Sequence, residues 1–301
     1  MNQPAGQVSI REVALRDGLQ IEQPIPLSAK LELLAAIAAT GVREVEVTSF
    51  VSPTKVPALA DAAEIAAELW RYPDIEFSAL VASPGGAARA AAAGLTSIEY
   101  VVCASDSFSC ANVGRPTAQA VTAIAEITGI AHAAGASVEV IIATAWDCPF
   151  DGPTPPQRVI DIAAAASENG VDRLSIADTI GTTTPRRVAD LIAAVRPVIG
   201  DMPLGAHFHN TRGAGLASAY AAVSCGVTRL DASAGGLGGC PFAPGATGNI
   251  ATEDLVYLLG DCGFFTGIDL DAAITAAGVA SSVVGHRLPS ALLTAGDRKR
   301  D

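Results

Sequence analysis

Two of the chain's four histidines, His207 and His209, stand two residues apart in the apolar run PLGAHFHNTRGAG. On a β-strand, residues i and i+2 project to the same face, so both imidazoles aim the same way. Joined by one carboxylate they form an N2O set suited to a divalent cation, with further oxygen ligands and positions left open for substrate. The plainer alternative is a pair of core imidazoles, each hydrogen-bonded to backbone. Asp17, in RDGLQ at 16–20, is the carboxylate best placed to complete the set. Beside it, Arg16 offers a planar fork that can clamp a carboxylate or carbonyl; at the surface it would be only an ion-pair partner. Glu46 interrupts a run of valines in VREVEVTS at 42–49 and reads as a buried functional carboxylate rather than an edge-exposed one. The stretch GGLGGCPFAPGATGN at 235–249 holds six Gly, two Pro and Cys240. Its glycines suit a lid over substrate rather than a plain connector. The thiol would ride into the site as an acid or base, provided nearby charge moves its pKa toward neutrality.

Such residues need elements that bring them together. Short β-rich runs at 8–14, 42–49, 76–81, 97–104, 137–143, 172–178, 203–209 and 228–234 carry the period of strands. Between them lie Ala-rich helical patterns near 28–40, 58–70, 84–93, 117–135, 155–169, 184–199, 213–225 and 252–262. Several of these end at a Gly that also precedes the next strand, as in AATGV, AAAGL, ENGV and SCGV, the expected C-terminal cap. Eight such units fit an α/β fold of the closed (β/α)8 TIM barrel type better than an open doubly wound sheet. The tail from about 269 reads as one additional C-terminal helix packed on the barrel. All of 1–301 is therefore expected to be a single catalytic domain, with the barrel over about 8–265 and the helical extension over about 266–295. In this architecture chemistry gathers at the C-terminal ends of the strands. RDGLQ, Glu46 with TSF, ADT at 177–179, HFHN and the Gly-rich stretch all fall at those ends, and closure of the barrel brings Asp17 beside the seventh and eighth strands.

A net charge of −12 argues against a nucleic-acid partner, which would need clustered Lys and Arg, yet it leaves room for an anionic small molecule held by a few local cations. No apolar run approaches the roughly 20 residues of a membrane span, and MNQPAGQVS has neither a basic nor an apolar leader region. The expectation is a soluble, cytoplasmic protein without a membrane partner. Six cysteines, at 103, 110, 148, 225, 240 and 262, form no CxxC pair and read as reduced thiols, five of them core residues.

RDGLQ, EVTSFVSPTKVPALAD (46–61), SIADTIG (175–181), AHFHNTRG (206–213) and GGLGGCPFAPGATGNIATEDLVYLL (235–259) together closely resemble the 3-hydroxy-3-methylglutaryl-CoA lyase family of TIM-barrel metallolyases, in register from about 8 to 285. The resemblance implies a divalent cation, Mg2+ or Mn2+, held by Asp17, His207, His209 and Asn249. It further implies functional roles for Arg16, Glu46, Asp178 and Cys240, an acyl-CoA substrate and a homodimer. The implied reaction is a retro-Claisen cleavage of a 3-hydroxy-3-methylacyl thioester, with Arg16 on the enolate oxygen, Cys240 protonating the enolate carbon, and Asp178 or His207 as the base. Two positions depart from the family pattern. Ile21 stands where many members carry Asn, and Ile141 where some animal members carry a Tyr near the substrate. Both changes make the mouth more apolar and bear on the acyl group. The alternatives are a lyase of the same subgroup acting on a thioester such as citramalyl-CoA, a Claisen-condensing synthase of the isopropylmalate type, and a binding protein with a closed structural metal site. The synthases lack the GGLGGCP stretch and usually carry a regulatory domain for which no residues remain.

Overall fold

The computed structural model describes residues 6–239 and 248–298. Runs rich in Val and Ile, bounded by Gly, Pro or Asp, form the eight barrel strands. They are β1 (Ser9–Glu12), β2 (Glu44–Ser49), β3 (Glu76–Val81), β4 (Ser97–Cys103), β5 (Ser137–Ala143), β6 (Arg173–Asp178), β7 (Leu204–Phe208) and β8 (Arg229–Ala232). All pair in parallel in chain order, β8 with β1 and β6 with β7, so the sheet closes into a barrel. The helices between them cover its outside with one apolar stripe each. In the helix Pro185–Ile199 the buried residues are Val188, Leu191, Ile192, Val195 and Ile199, a helical spacing. Pro185 fits its first turn, and Gly200, at φ 55°, ends it.

The barrel interior holds charge as well as apolar side chains. Arg11 of β1, 2% exposed, reaches Glu99 of β4 at 2.8 Å, Glu139 of β5 at 2.6 Å and Asp231 of β8 at 2.8 Å. Ser78 hydrogen-bonds Glu99, and Ser175 hydrogen-bonds Glu139. Gly205 of β7 makes room for this layer, since a Cβ there would lie 2.3 Å from the Ser175 hydroxyl.

Three stretches differ from the periodicity. The pattern at 58–70 is broken into a turn at Pro57–Leu59, a short helix Ala62–Ala66 and a turn at Leu69–Arg71. Within this break the buried ammonium of Lys30 donates to the Ala58 carbonyl at 2.6 Å and to the Asp61 carboxylate at 2.5 Å. A helix at Asp106–Val113, capped by Ser105, stands after β4, and a hairpin pairing Asp147–Cys148 with Gly152–Pro153 stands after β5. The C-terminal extension is the helix Leu270–Val284 followed by a short turn of helix, Leu292–Ala295, whose start is held by Asp254 through the N–H groups of Ala291 and Leu292. Among the described residues no helix is long and apolar enough to cross a membrane.

Candidate active site

The site begins where β1 ends. Glu12 accepts hydrogen bonds from the N–H of Ala14 (2.9 Å), the N–H of Ala234 (3.0 Å) and the Thr252 hydroxyl (2.6 Å), tying the chain after β1 to the chain after β8. From there a tight turn, Ala14–Gly18, carries Arg16 and Asp17 over the mouth of the barrel. β7 brings His207 in from the neighbouring side, and His209 follows two residues on, its ring centroid 5.1 Å from that of His207. Ligand atoms of Asp17, His207 and His209 all lie within 4.8 Å of one another.

Asn249 reaches the same point through a backbone bridge to His209. Its amide nitrogen donates to Asp17 (2.9 Å) and to the Leu237 carbonyl (3.0 Å), while its Oδ1 is buried without a partner among the described residues. A buried carbonyl oxygen left unpaired beside an ionised carboxylate costs free energy unless something electropositive meets it. Gly238, at φ 125°, permits this approach; a Cβ there would lie 2.7 Å from the Asn249 amide nitrogen. The two imidazoles and the Asp17 carboxylate fit a divalent metal site with positions open for substrate.

Charge around this point is tightly arranged. The Arg16 guanidinium donates to Asp17 (2.7 Å) and Gln20 (3.2 Å) and stands 2.5 Å from Glu46, a residue with no exposure. Burial opposes the charge on Asp17, but Arg16 together with His209 and His207 outweighs it and holds the carboxyl well below the usual carboxylate range. Glu46 is pushed well above its ordinary value by burial and by the nearby Glu99, against the pull of Arg16. Burial would lower His207; the hydrogen bond to Asp231 and the charge of Asp17 override it and leave the ring above its ordinary value.

A cavity of about 610 Å3 opens from this cluster. Arg16, Asp17, His207 and His209 stand against it, Val101, Ile141, Ala143 and Ala177 form an apolar wall, and Lys55, Arg89 and Arg115 bring cations to its lining. Phe108 and Asn112, from the helix after β4, complete it on one side. Asp178 does not line the cavity; its carboxylate accepts the N–H groups of Thr182 and Thr183, each at 3.0 Å, and burial pushes it above its ordinary value. Ile21 is 45% exposed and stands outside the cavity, where Gln20 lines it instead. Cys240 lies outside the described residues. Sequence reading did not single out Asp231, which joins His207 to the barrel interior. Thr179, the last residue of ADT, lines the cavity wall, where its hydroxyl accepts the Thr144 N–H at 2.7 Å. For Asp231 a signal was present, because it is a lone acidic residue between the apolar residues of a strand.

Residues 7–279 match the HMGL-like family. An (R)-citramalyl-CoA lyase of Chloroflexus aurantiacus is 40% identical over 300 residues, covering 96% of this chain and 95% of that protein. A hydroxymethylglutaryl-CoA lyase of Bacillus subtilis is 34% identical over 285 residues, with 94% and 95% covered. Among solved structures, an HMG-CoA lyase from Acinetobacter baumannii in complex with coenzyme A and 3-methylmalate superposes with a TM-score of 0.93 at 36% identity, over 98% of this chain and 97% of that one. With its closed barrel and its Asp–His–His cluster at the mouth, the chain belongs to the HMGL-like family as an acyl-CoA lyase.

Proposed function

We propose that the protein cleaves 3-hydroxy-3-methylglutaryl-CoA to acetyl-CoA and acetoacetate. The observation that carries this reading is the convergence of Arg16, Asp17, His207 and His209 at one end of a single cavity whose lining also includes the cations Lys55, Arg89 and Arg115. An acyl-CoA has a reacting acyl end and a polyanionic nucleotide end, and this lining offers a partner to each. Asp17, His207, His209 and Asn249 would hold Mg2+ or Mn2+, which when bound lowers the pKa of a tertiary alcohol.

The residues divide the rest of the reaction. The substrate's 3-hydroxyl gives its proton to Asp178, which stands back from the cavity and is reached through one bridging water, because a His207 that ligates the cation through one nitrogen and donates to Asp231 through the other has no lone pair left to accept it. The C2–C3 bond then breaks, the hydroxyl oxygen becomes the carbonyl of the ketone product, and the electron pair passes to C2 as a thioester enolate. Arg16, held by Glu46 and Asp17, stabilises the charge on the enolate oxygen. Cys240 returns a proton to C2, giving acetyl-CoA. The apolar wall of Val101, Ile141, Ala143 and Ala177 suits the 3-methyl group and keeps water from the enolate.

A second reading, cleavage of citramalyl-CoA to acetyl-CoA and pyruvate, is favoured by the 40% identity to the (R)-citramalyl-CoA lyase. The two substrates differ by one methylene, a difference that an apolar pocket discriminates by only about 10- to 200-fold. Both thioesters should therefore be supplied to the Mg2+-loaded and Mn2+-loaded protein, with acetoacetate and pyruvate measured separately. Higher kcat/KM for acetoacetate release supports the first reading, higher kcat/KM for pyruvate release the second, and acetyl-CoA from neither overturns both.

A further inference from the structure

Beneath the metal cluster, and outside the residues assigned to it so far, lies a buried chain of charge that ends on one of the ligands. The Nδ1 of His207 is 3.1 Å from Oδ2 of Asp231. Asp231 is 4% exposed and is itself gripped at two points by Arg11, whose Nε donates to Oδ1 at 2.9 Å and whose Nη2 donates to Oδ2 at 2.8 Å. Arg11 is fixed in turn by Glu139 and Glu99 on the far side. His209 has no such support: its Nδ1 is buried without a partner among the described residues. The two histidines of the pair are therefore held differently, one by the barrel interior and one by the mouth alone.

We propose that Asp231 and Arg11 are positioning residues that lock His207 as the Nδ1–H tautomer and so aim its Nε2 lone pair at the divalent cation. This deepens the metal reading above and rests on it. An ionised carboxylate only accepts, and Asp231 has both oxygens occupied by Arg11, so the group facing it from His207 must be an N–H. A neutral imidazole carries one N–H, and placing it on Nδ1 leaves Nε2 free as a ligand. Arg11 makes the carboxylate immobile, because turning it would break two charge-assisted hydrogen bonds at once. Arg11 does not line the cavity, and Asp231 borders it but presents its oxygens to Arg11 and His207.

The substitution that tests this is Asp231→Asn. An amide of the same shape cannot satisfy all three donors. With its oxygen at Oδ2, its NH2 opposes the Arg11 Nε–H; with the orientation reversed, its NH2 opposes Arg11 Nη2 and His207, and His207 must move its proton to Nε2 to accept it. Metal affinity should fall about 10- to 100-fold, as expected when a ligand loses its supporting partner. Mg2+ and Mn2+ binding to parent and variant can be measured by calorimetry. Tautomers can be read by 15N NMR of the metal-free parent labelled at histidine, at alkaline pH. With four histidines in the chain, single His→Gln substitutions assign the signals.

The expected result is an Nδ1–H tautomer at His207 in the parent, together with weakened metal binding in the variant. An Nε2–H tautomer at His207 in the parent overturns the proposal even if the variant fails to fold. So does a variant that loses thermal stability but binds Mn2+ with the parent's affinity, which is what a purely structural role would give. A parent with the Nδ1–H tautomer that binds neither cation overturns the metal reading and this proposal with it, and the tautomer result shows which premise failed.

Discussion

Arg16 is held from two sides, by Asp17 at 2.7 Å and by Glu46 at 2.5 Å. Asp17→Ala removes a metal ligand but leaves Arg16 paired with Glu46, so the fold should survive. His209→Ala removes a ring whose Nδ1 has no partner to orphan. Either variant is expected to abolish cleavage and to keep the parent's circular dichroism spectrum and, within a few degrees, its melting temperature; retained Mn2+ affinity and turnover would show the site misplaced. Arg16→Lys is expected to cut turnover by about 100- to 1,000-fold, because an ammonium lacks the planar fork, while leaving metal affinity close to the parent's. Steady-state kinetics on the variant settles this, and activity within a few-fold of the parent would remove Arg16 from the enolate.

At this scale much was legible beforehand. HxH, RDG and the buried Glu among valines announce themselves because polar residues in apolar strands are costly without a purpose. Ile21 was misjudged because spacing in a turn does not show which way a side chain points. The barrel's internal charges, Arg11, Glu99 and Glu139, are hard to read because they stand on separate strands and only closure of the barrel brings them together.

Among the elements, the strands were the clearest. Runs in which apolar residues are interleaved with small or polar ones mark 76–81 and 137–143, and both are strands with those bounds. The helix at Asp106–Val113 was missed because DSFSCANV has little apolar periodicity; its one signal was the capping Ser105. The break at 58–70 is not legible locally, because the contacts made there by Lys30 come from about thirty residues upstream and act through space.

The pin that joins β1 to β8 makes a prediction of its own. Burial pushes Glu12 up to about 7, against the hydrogen bonds from Thr252 and the backbone that lower it. A carboxyl raised above its ordinary value of 4.5 keeps a proton in the folded chain that the unfolded chain gives up. Its contribution to stability is complete below that value and is lost as pH rises through about 7. Glu12→Gln can keep all three contacts, its oxygen accepting the two N–H groups and its NH2 donating to the Thr252 hydroxyl. Denaturant melts from pH 5 to 8 should show the Gln variant gaining on the parent as pH rises, by on the order of 1–3 kcal/mol across the range. A parallel pH dependence in both chains would contradict a buried, proton-holding Glu12.

For the whole molecule, closure of the sheet is what turns a scattered sequence into a site: residue 17 meets residues 207, 209 and 249 only because β1 lies beside β8, and β8 beside β7. The most direct test of the account is a titration of chelator-stripped protein with Mn2+ at saturating 3-hydroxy-3-methylglutaryl-CoA and citramalyl-CoA, with acetyl-CoA release and folded structure followed together. The account predicts a folded but inactive stripped protein, activity rising in proportion to bound Mn2+ and levelling at a single equivalent, and no such rise in Asp17→Ala. Full acetyl-CoA release from the stripped protein, or activity restored by Mn2+ in Asp17→Ala, would contradict it.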